Sequence, residues 1–278
     1  TGTGSGGGTA TDPCPEVGAT HLLISEIASH GPPGAGGGSV GGNYEFIEIW
    51  NPTGAQVDLS KYYLSDNSVY YRIARGDAWT PTTSMAGTDF LVKFPAGATI
   101  DANGYVVIQA GPDFESAWSS CPDYALGTDT APTCNSTTVP LMEAPTNGDR
   151  GSEAGSMLSN TREMVVLFCW DGVSTIVKDV DYVPWGDTDD QPMRINKTNE
   201  PGYQPDTAVS SQDEAPYYHT TGSGGGFGAS LGRCDGTEDG ETTTNGNGPA
   251  GHDETSESFS QTIEIQGSGT PGAVNSCN

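Results

Sequence analysis

The residues of this chain that could do chemistry are mostly carboxylates. Between positions 43 and 67 it reads NYEFIEIWNPTGAQVDLSKYYLSDN, with acids at Glu45, Glu48, Asp58 and Asp66. Grouped carboxylates can act as general acid and base, but they need a nucleophile or substrate site beside them, and nothing in this stretch marks one. The structural alternative is that Asp in turns accepts local N–H groups, while Glu on strands meets loop backbone or a cation. The expectation is the structural one.

Two other segments could hold a hard cation. DGTEDG (235–240) places Asp235, Thr237 and Asp239 at alternate positions before Gly240, as in the first half of an EF-hand loop. The Glu due at position twelve is replaced by Gly246. DTDD (187–190) supplies Asp187, Asp189 and Asp190. Calcium at these loops is the cofactor expectation, with a solvated acidic loop as the alternative.

Other motifs fail their context tests. Gly37-Gly38-Ser39-Val40-Gly41 and Gly228-Ala229-Ser230-Leu231-Gly232 both spell G-x-S-x-G, which in hydrolases sits between a strand and a helix. The first lies in a Gly-rich loop before a strand, and no helix follows the second. His252 and Asp253 come downstream in the wrong order for the usual triad. Gly36, Gly38 and Gly41 fit G-x-G-x-x-G, again ahead of a strand rather than a helix. The four His (21, 30, 219, 252) form no H-E-x-x-H or i,i+4 pair and read as isolated residues. Tyr62, Tyr63, Tyr70, Tyr71 and Trp79 could stack on sugars. Tyr alternating along strands more often packs across a sheet, and that reading is favoured.

Composition narrows the function class. The net charge is -26, from 36 acids and 10 Lys plus Arg. Nucleic-acid binding draws on cations that neutralise phosphates, so DNA and RNA are excluded as general partners. No apolar run approaches the roughly 18 residues that span a bilayer. No export signal is visible; either none existed or it was removed before this numbering begins.

The six Cys (14, 121, 134, 169, 234, 277) lack metal-like spacing, which points to disulfides and an oxidising, extracellular or cell-surface location. Cys121 and Cys134 share one loop and make the expected local bridge. Cys14 and Cys277 flank the domain and could tie its ends. Cys169 lies in an apolar strand and fits a buried thiol equally well. Cys234 is left unassigned.

These residues must be positioned by strands. HLLISEIAS (21–29), YEFIEIWN (44–51), KYYLSDN, VYYRIA, DFLVKFP (89–95), TIDANGYVVIQAG (99–111), EMVVLFCWDG (163–172) and VSTIVKDVDYV (173–183) read as strands. Glu45 and Glu48 fall in opposite phases, so YEFIEIWN is expected to be buried on both faces near its middle. Asp171-Gly172 is a hairpin signal. DFESAWSS (113–120) could give a helical turn or two. The fold class is all-β: a β-sandwich with long acidic Gly/Thr-rich loop insertions, notably 112–160 and 186–262. Residues 1–12, TGTGSGGGTATD, read as a flexible linker, and 13–278 as the single domain.

Taken in order, the segments resemble the lamin tail domain family. LLISEI (22–27), EFIEIWNPTGAQVDLSKYYLSDN (45–67) and FPAGATIDANGYVVIQAG (94–111) follow its I-N-E-V, E-W-I-E-L-x-N, V-D-L-S-G-W-x-L-S-D and F-P-x-G-x-x-L-x-x-G-x-Y pattern. MLSNTREMVVLFCWDGVSTIVKDVDYVPWGD resembles its later hairpin, and ASLGR (229–233) and GTPGAVN (269–275) its closing segments. Ser25 and Lys61 depart from the usual Asn and Gly. The resemblance implies an immunoglobulin-like sandwich and no single activity. Similar domains occur in nuclear lamins and in exported bacterial proteins, some attached to nucleases or other hydrolases. Asp58 and Asp66 match its turn positions; Glu26, Glu45 and Glu48 match positions on adjacent strands.

The functional expectation is a non-enzymatic extracellular or cell-surface protein that works by assembly, through contacts with its own copies or other surface proteins. The N-terminal segment could add to a neighbour's sheet edge. The alternatives are a calcium- or glycan-binding adhesion module and, third, a secreted hydrolase.

Overall fold

The computed structural model describes residues 12–29, 44–77, 88–127, 130–151, 157–159, 162–186, 193–216 and 228–277. Asp187, Asp189, Asp190, Trp79 and the N-terminal segment 1–11 lie outside them.

Two sheets face each other. The larger runs in the order β14 (Ile263–Gln266), β13 (Ser230–Arg233), β1 (Leu23–Ala28), β2 (Phe46–Trp50), β7 (Tyr105–Gln109), β8 (Tyr124–Ala125). Its pairs are antiparallel except β7–β8. The smaller runs β12 (Lys178–Gly186), β11 (Arg162–Cys169), β4 (Tyr62–Ser65), β5 (Leu91–Lys93). Two short ribbons pair β3 (Val57–Asp58) with β6 (Thr99–Ile100) and β9 (Thr133–Cys134) with β10 (Thr137–Thr138).

One core fills the space between the sheets. Ile24, Ile47, Ile49, Val106 and Ile108 meet Leu64, Val92, Val165, Leu167 and Val180. Strand β2 is buried on both faces, as its sequence requires. Phe46 points the other way from Ile47 and packs with Phe114 and Trp118 of a short helix, α1 (Phe114–Trp118). Such an all-β sandwich keeps polar side chains for the outer faces, yet here Glu26, Glu45 and Glu48 are fully covered as well.

The segment VYYRIA is a 3-10 helix, Tyr70–Arg75, and not the expected strand. Successive strand residues point to opposite faces, but Tyr70 and Tyr71 must both turn inward. A helical turn allows that, and Gly76 ends it with φ of 72°. The β11–β12 hairpin does turn at Asp171-Gly172: Asp171 Oδ1 accepts from the N–H groups of Val173 and Ser174.

The buried tyrosines enclose a cation. Lys197, 0% exposed, approaches Asp179 at 2.5 Å and Asp206 at 3.1 Å. Its Nζ lies 5.6–5.8 Å from the ring centroids of Tyr70, Tyr71 and Tyr203. Tyr62 and Tyr63 are also buried, Tyr63 stacking on Phe168. These four tyrosines are therefore core residues, at most 6% exposed, in keeping with the favoured packing reading and not with a sugar-stacking surface.

Three disulfides lock the chain: Cys14–Cys169, Cys121–Cys134 and Cys234–Cys277. The local bridge is the one expected. The suggested Cys14–Cys277 tie is corrected: Cys14 bonds Cys169 of β11, 155 positions away, Cys277 bonds Cys234, and Cys169 is therefore bonded rather than a free thiol. Loop-closure entropy for separations of 13, 43 and 155 residues corresponds to about 3, 4 and 5 kcal/mol in the chain-entropy picture.

Replacing Lys197 with Met should leave Asp179 and Asp206 buried against each other without a cation. We expect a loss of about 3–5 kcal/mol in urea unfolding. A loss below about 1 kcal/mol would mean that the network is solvated.

Candidate metal centre

The acids that opened the sequence reading are loop fasteners. Strand β1 bulges between Ile24 and Glu26, which brings Glu26 opposite Glu48 of β2. Glu26 accepts from Thr270 N–H at 3.0 Å and from Ser230 Oγ. Glu48 accepts from Gly272 N–H at 2.5 Å and Ser25 Oγ at 2.6 Å. Together they hold the closing segment across the sheet, where Asn275 Nδ2 also donates to the carbonyls of Ser25 and Arg233. Glu45 Oε2 accepts the N–H groups of both Met157 and Leu158. Asp58 and Asp66 accept from Ser60 and Phe90 N–H. Ser230 of the second G-x-S-x-G lies on β13 and donates to Glu26, a fixed role that leaves no strand-to-helix elbow. The first G-x-S-x-G lies outside the described residues.

A different cluster forms where β13 runs into the loop that follows it. Arg233 reaches Glu257 at 2.6 Å and Asp181 at 3.0 Å, so those two carboxylates have a cation. Asp181 also accepts Ile24 N–H, and Glu257 accepts Thr262 Oγ1. Next to them stand His21, Glu238, Glu241, His252 and Glu254. Their potential ligand atoms form two groups that share Glu238: His21–Glu238–Glu254 and Glu238–Glu241–His252, with all atoms of each group within 4.8 Å of one another.

The loop geometry explains how residues so far apart meet. His21 sits just before β1. Gly246 and Gly248 let the loop fold back on itself: a Cβ at Gly246 would lie 1.9 Å from the His252 carbonyl, and one at Gly248 2.3 Å from Glu254 Oε1. Asp253, between the two candidate ligands, points away and accepts from Thr207 and Thr255. His252 and Glu254, two apart, thereby face the cluster from one side.

Burial, and then the charges of Glu238 and Glu241, push the Glu254 carboxyl well above the usual carboxylate range. Burial likewise raises Glu241 to about 8. Burial opposes charge on Glu238 and His21, but their mutual contact at 3.2 Å wins, lowering Glu238 and raising His21. Burial and the nearby His21 lower His252.

Asp235 and Asp239, expected as calcium ligands, belong to neither group. Asp235 Oδ1 accepts from Thr237 N–H and Oγ1, closing its own turn. The same loop instead delivers Glu238 and Glu241. All five clustered residues escaped the sequence reading. The available signal was the H-x-E spacing of His252 and Glu254, which puts both on one side of an extended segment; His21 is 217 positions from Glu238 and gave none.

The facing sheets and their loop-holding acids define an immunoglobulin-like all-β module. Residues 17–184 match the Lamin Tail Domain, and the chain belongs to that family. No curated protein matches the chain. A solved structure, a DUF4876 family protein from Bacteroides thetaiotaomicron, is similar at 12% identity with a TM-score of 0.42, over 93% of this chain and 72% of that one.

Burial, opposed by donors from Ser25 and Gly272, raises Glu48 from 4.5 to about 8, and Glu26 adds its repulsion. A carboxyl with a raised folded-state pKa binds its proton more tightly in the folded state. Its contribution is full below the unfolded value and is lost as pH rises through about 8. The melting temperature should therefore fall between about pH 5 and about pH 8.5, and Glu48→Gln should flatten that slope. Equal slopes in the two proteins would contradict the assignment.

Proposed function

We propose that this protein acts outside the cell as a disulfide-locked, non-enzymatic module that works through contacts between chains. The observation that carries the reading is the covalent framework: all six cysteines are bonded, a state that persists in oxidising compartments. No helix among the described residues is long and apolar enough to cross a membrane. The buried acids Glu26, Glu45 and Glu48 support a structural role, because backbone and hydroxyl donors hold their oxygens.

A contact surface is offered by the rim of the larger sheet. Strand β14 is its outer strand, and it presents Ile265 at 41% exposure. An open strand edge carries backbone donors and acceptors that can pair with a second copy of the chain. Against a net charge of -26 that pairing needs screening. The second reading, a cation-dependent adhesion module, is favoured by the His21–Glu254 cluster. Its glycan-stacking element loses Tyr62, Tyr63, Tyr70 and Tyr71 to the core.

Sedimentation velocity across a concentration series at physiological ionic strength tests the contact. The native chain should self-associate, and Ile265→Lys should remain monomeric with an unchanged circular dichroism spectrum. A native protein that is monomeric throughout would leave a monomeric module in place of an assembling one. Peptide mapping without reduction of the protein recovered from its producing cells should return the three disulfides. Free thiols there would argue against an exported location.

A further inference from the structure

The cluster around Glu238 breaks the rule that the rest of the molecule follows. Among the described residues, the buried side-chain nitrogen and oxygen atoms without a hydrogen-bond partner are Glu241 Oε1, His252 Nδ1 and both oxygens of Glu254. All of them belong to this one cluster. Glu254 is 2% exposed, so bulk solvent does not reach it. Native proteins pair nearly all such atoms, and a carboxylate left bare in the interior is costly.

Protonation does not resolve the cluster. A neutral Glu254 would gain an O–H that also needs an acceptor, and neither oxygen has a partner. Arg233 is already engaged by Asp181 and Glu257. Glu238 is answered by His21, whereas Glu241 and Glu254 face His252 and no fixed cation. His252 Nδ1 stands 2.8 Å from Glu241 Oε2 without hydrogen-bond geometry. Such an approach fits two lone pairs that converge on a shared centre better than it fits a donor aimed at an acceptor.

The His21 ring carries the same sign. Its Nδ1 lies 2.8 Å from the Ala19 carbonyl, which can only accept, so Nδ1 bears the hydrogen. With Nδ1 so engaged, the protonated ring donates Nε2–H to Glu238 at 3.2 Å, and loss of that proton would leave an Nε2 lone pair turned into the cluster. Ligating histidines are commonly oriented this way, with the second ring nitrogen donating to a carbonyl.

We infer that the two groups that share Glu238, His21–Glu238–Glu254 and Glu238–Glu241–His252, supply the ligands of a closed structural site for one divalent cation of the zinc class. Two imidazole nitrogens with carboxylate oxygens suit zinc and its first-row neighbours, whereas calcium takes oxygen ligands alone. An ion held at the shared Glu238 would give the orphaned atoms it reaches a partner and would offset the negative charge of Glu241 and Glu254, which no Lys or Arg answers. The site is structural because its ligands are covered: side-chain exposure is 1% for His21, 3% for Glu241 and 13% for His252. The groove of about 610 Å³ beside β3 reaches His21 but none of the other four.

The test uses the full chain and zinc itself. After chelator treatment and dialysis, zinc affinity is measured by competition with a chromophoric chelator, and melting temperature is followed with zinc, calcium or magnesium at matched ionic strength. Elemental analysis gives the bound metal. Zinc should bind and raise the melting temperature, with calcium and magnesium giving much smaller shifts. His252→Ala and Glu254→Gln should each weaken zinc binding by about 10- to 100-fold or more.

Glu254→Gln keeps the shape of the buried side chain and removes its ability to ionise. Its metal-free form should melt at or above the native metal-free form, yet lose the zinc-dependent rise. That combination separates lost ligation from lost folding. Three results would overturn the inference: no zinc bound by the native chain, equal shifts with calcium and zinc, or undiminished zinc binding by Glu254→Gln.

Discussion

The fold depends on buried carboxylates that grip backbone N–H groups. With 36 acids and 10 basic residues, the chain cannot give each buried carboxylate its own Lys or Arg. Peptide N–H groups of loops are the abundant alternative donors, and at Glu26 and Glu48 their bonds oppose the rise that burial imposes on the carboxyls without overcoming it. Glu45 gathers two consecutive N–H groups of the segment before β11, and Glu26 and Glu48 gather two from the closing segment. Each contact sets the cost of burying a polar group against the ordering of a loop that has little apolar surface of its own. This is how a chain with 40 Gly and only 33% hydrophobic residues keeps its loops against a core.

The scarce cations go where carboxylates crowd each other. Lys197 sits between Asp179 and Asp206, and Arg233 between Asp181 and Glu257. Asp179 and Asp181 are both on β12, so that strand carries the negative half of both networks. Lys197 and Arg233 come from segments well beyond β12 in sequence. They fasten the second half of the chain to the hairpin as the disulfide Cys14–Cys169 fastens the first. The ion pairs direct where these segments dock, since either cation misplaced would leave two carboxylates bare in the interior.

The fold was legible because strand pattern is local. Alternation in EFIEIW, the apolar run MVVLFCW and the Asp-Gly turn each carry their own structure. The 3-10 helix at Tyr70–Arg75 was not legible, because adjacent tyrosines look the same whether they straddle a strand or share a turn. Only their common burial beside Lys197 decides between the two. The roles of Glu26, Glu45 and Glu48 were legible as a class, through phase and resemblance, but their partners were not. The cysteine pairing beyond the local loop was hidden for the same reason. Nothing in the sequence near Cys14 refers to β11, where Cys169 sits.

The Glu238 cluster was hidden more deeply, and the reason bears on what it does. The other buried acids are answered by groups of the polypeptide. Glu254 is not, although the loop that carries it is closely specified: Gly246 and Gly248 admit no side chain, and Asp253 is held by Thr207 and Thr255. A loop built so closely around an unanswered carboxylate makes sense if its last partner is not part of the chain. His21 ties that partner to the entrance of β1, and Glu238 follows directly on β13. The cluster therefore joins the first and the penultimate strands of the larger sheet at one end. Beside it, Glu26 of β1 and Glu48 of β2 hold the closing segment across the sheet. Neighbouring strands far apart in sequence are slow to pair, because the chain between them must be ordered first. Fastening them twice, once with backbone donors and once with a shared centre, addresses the weakest step in assembling this topology.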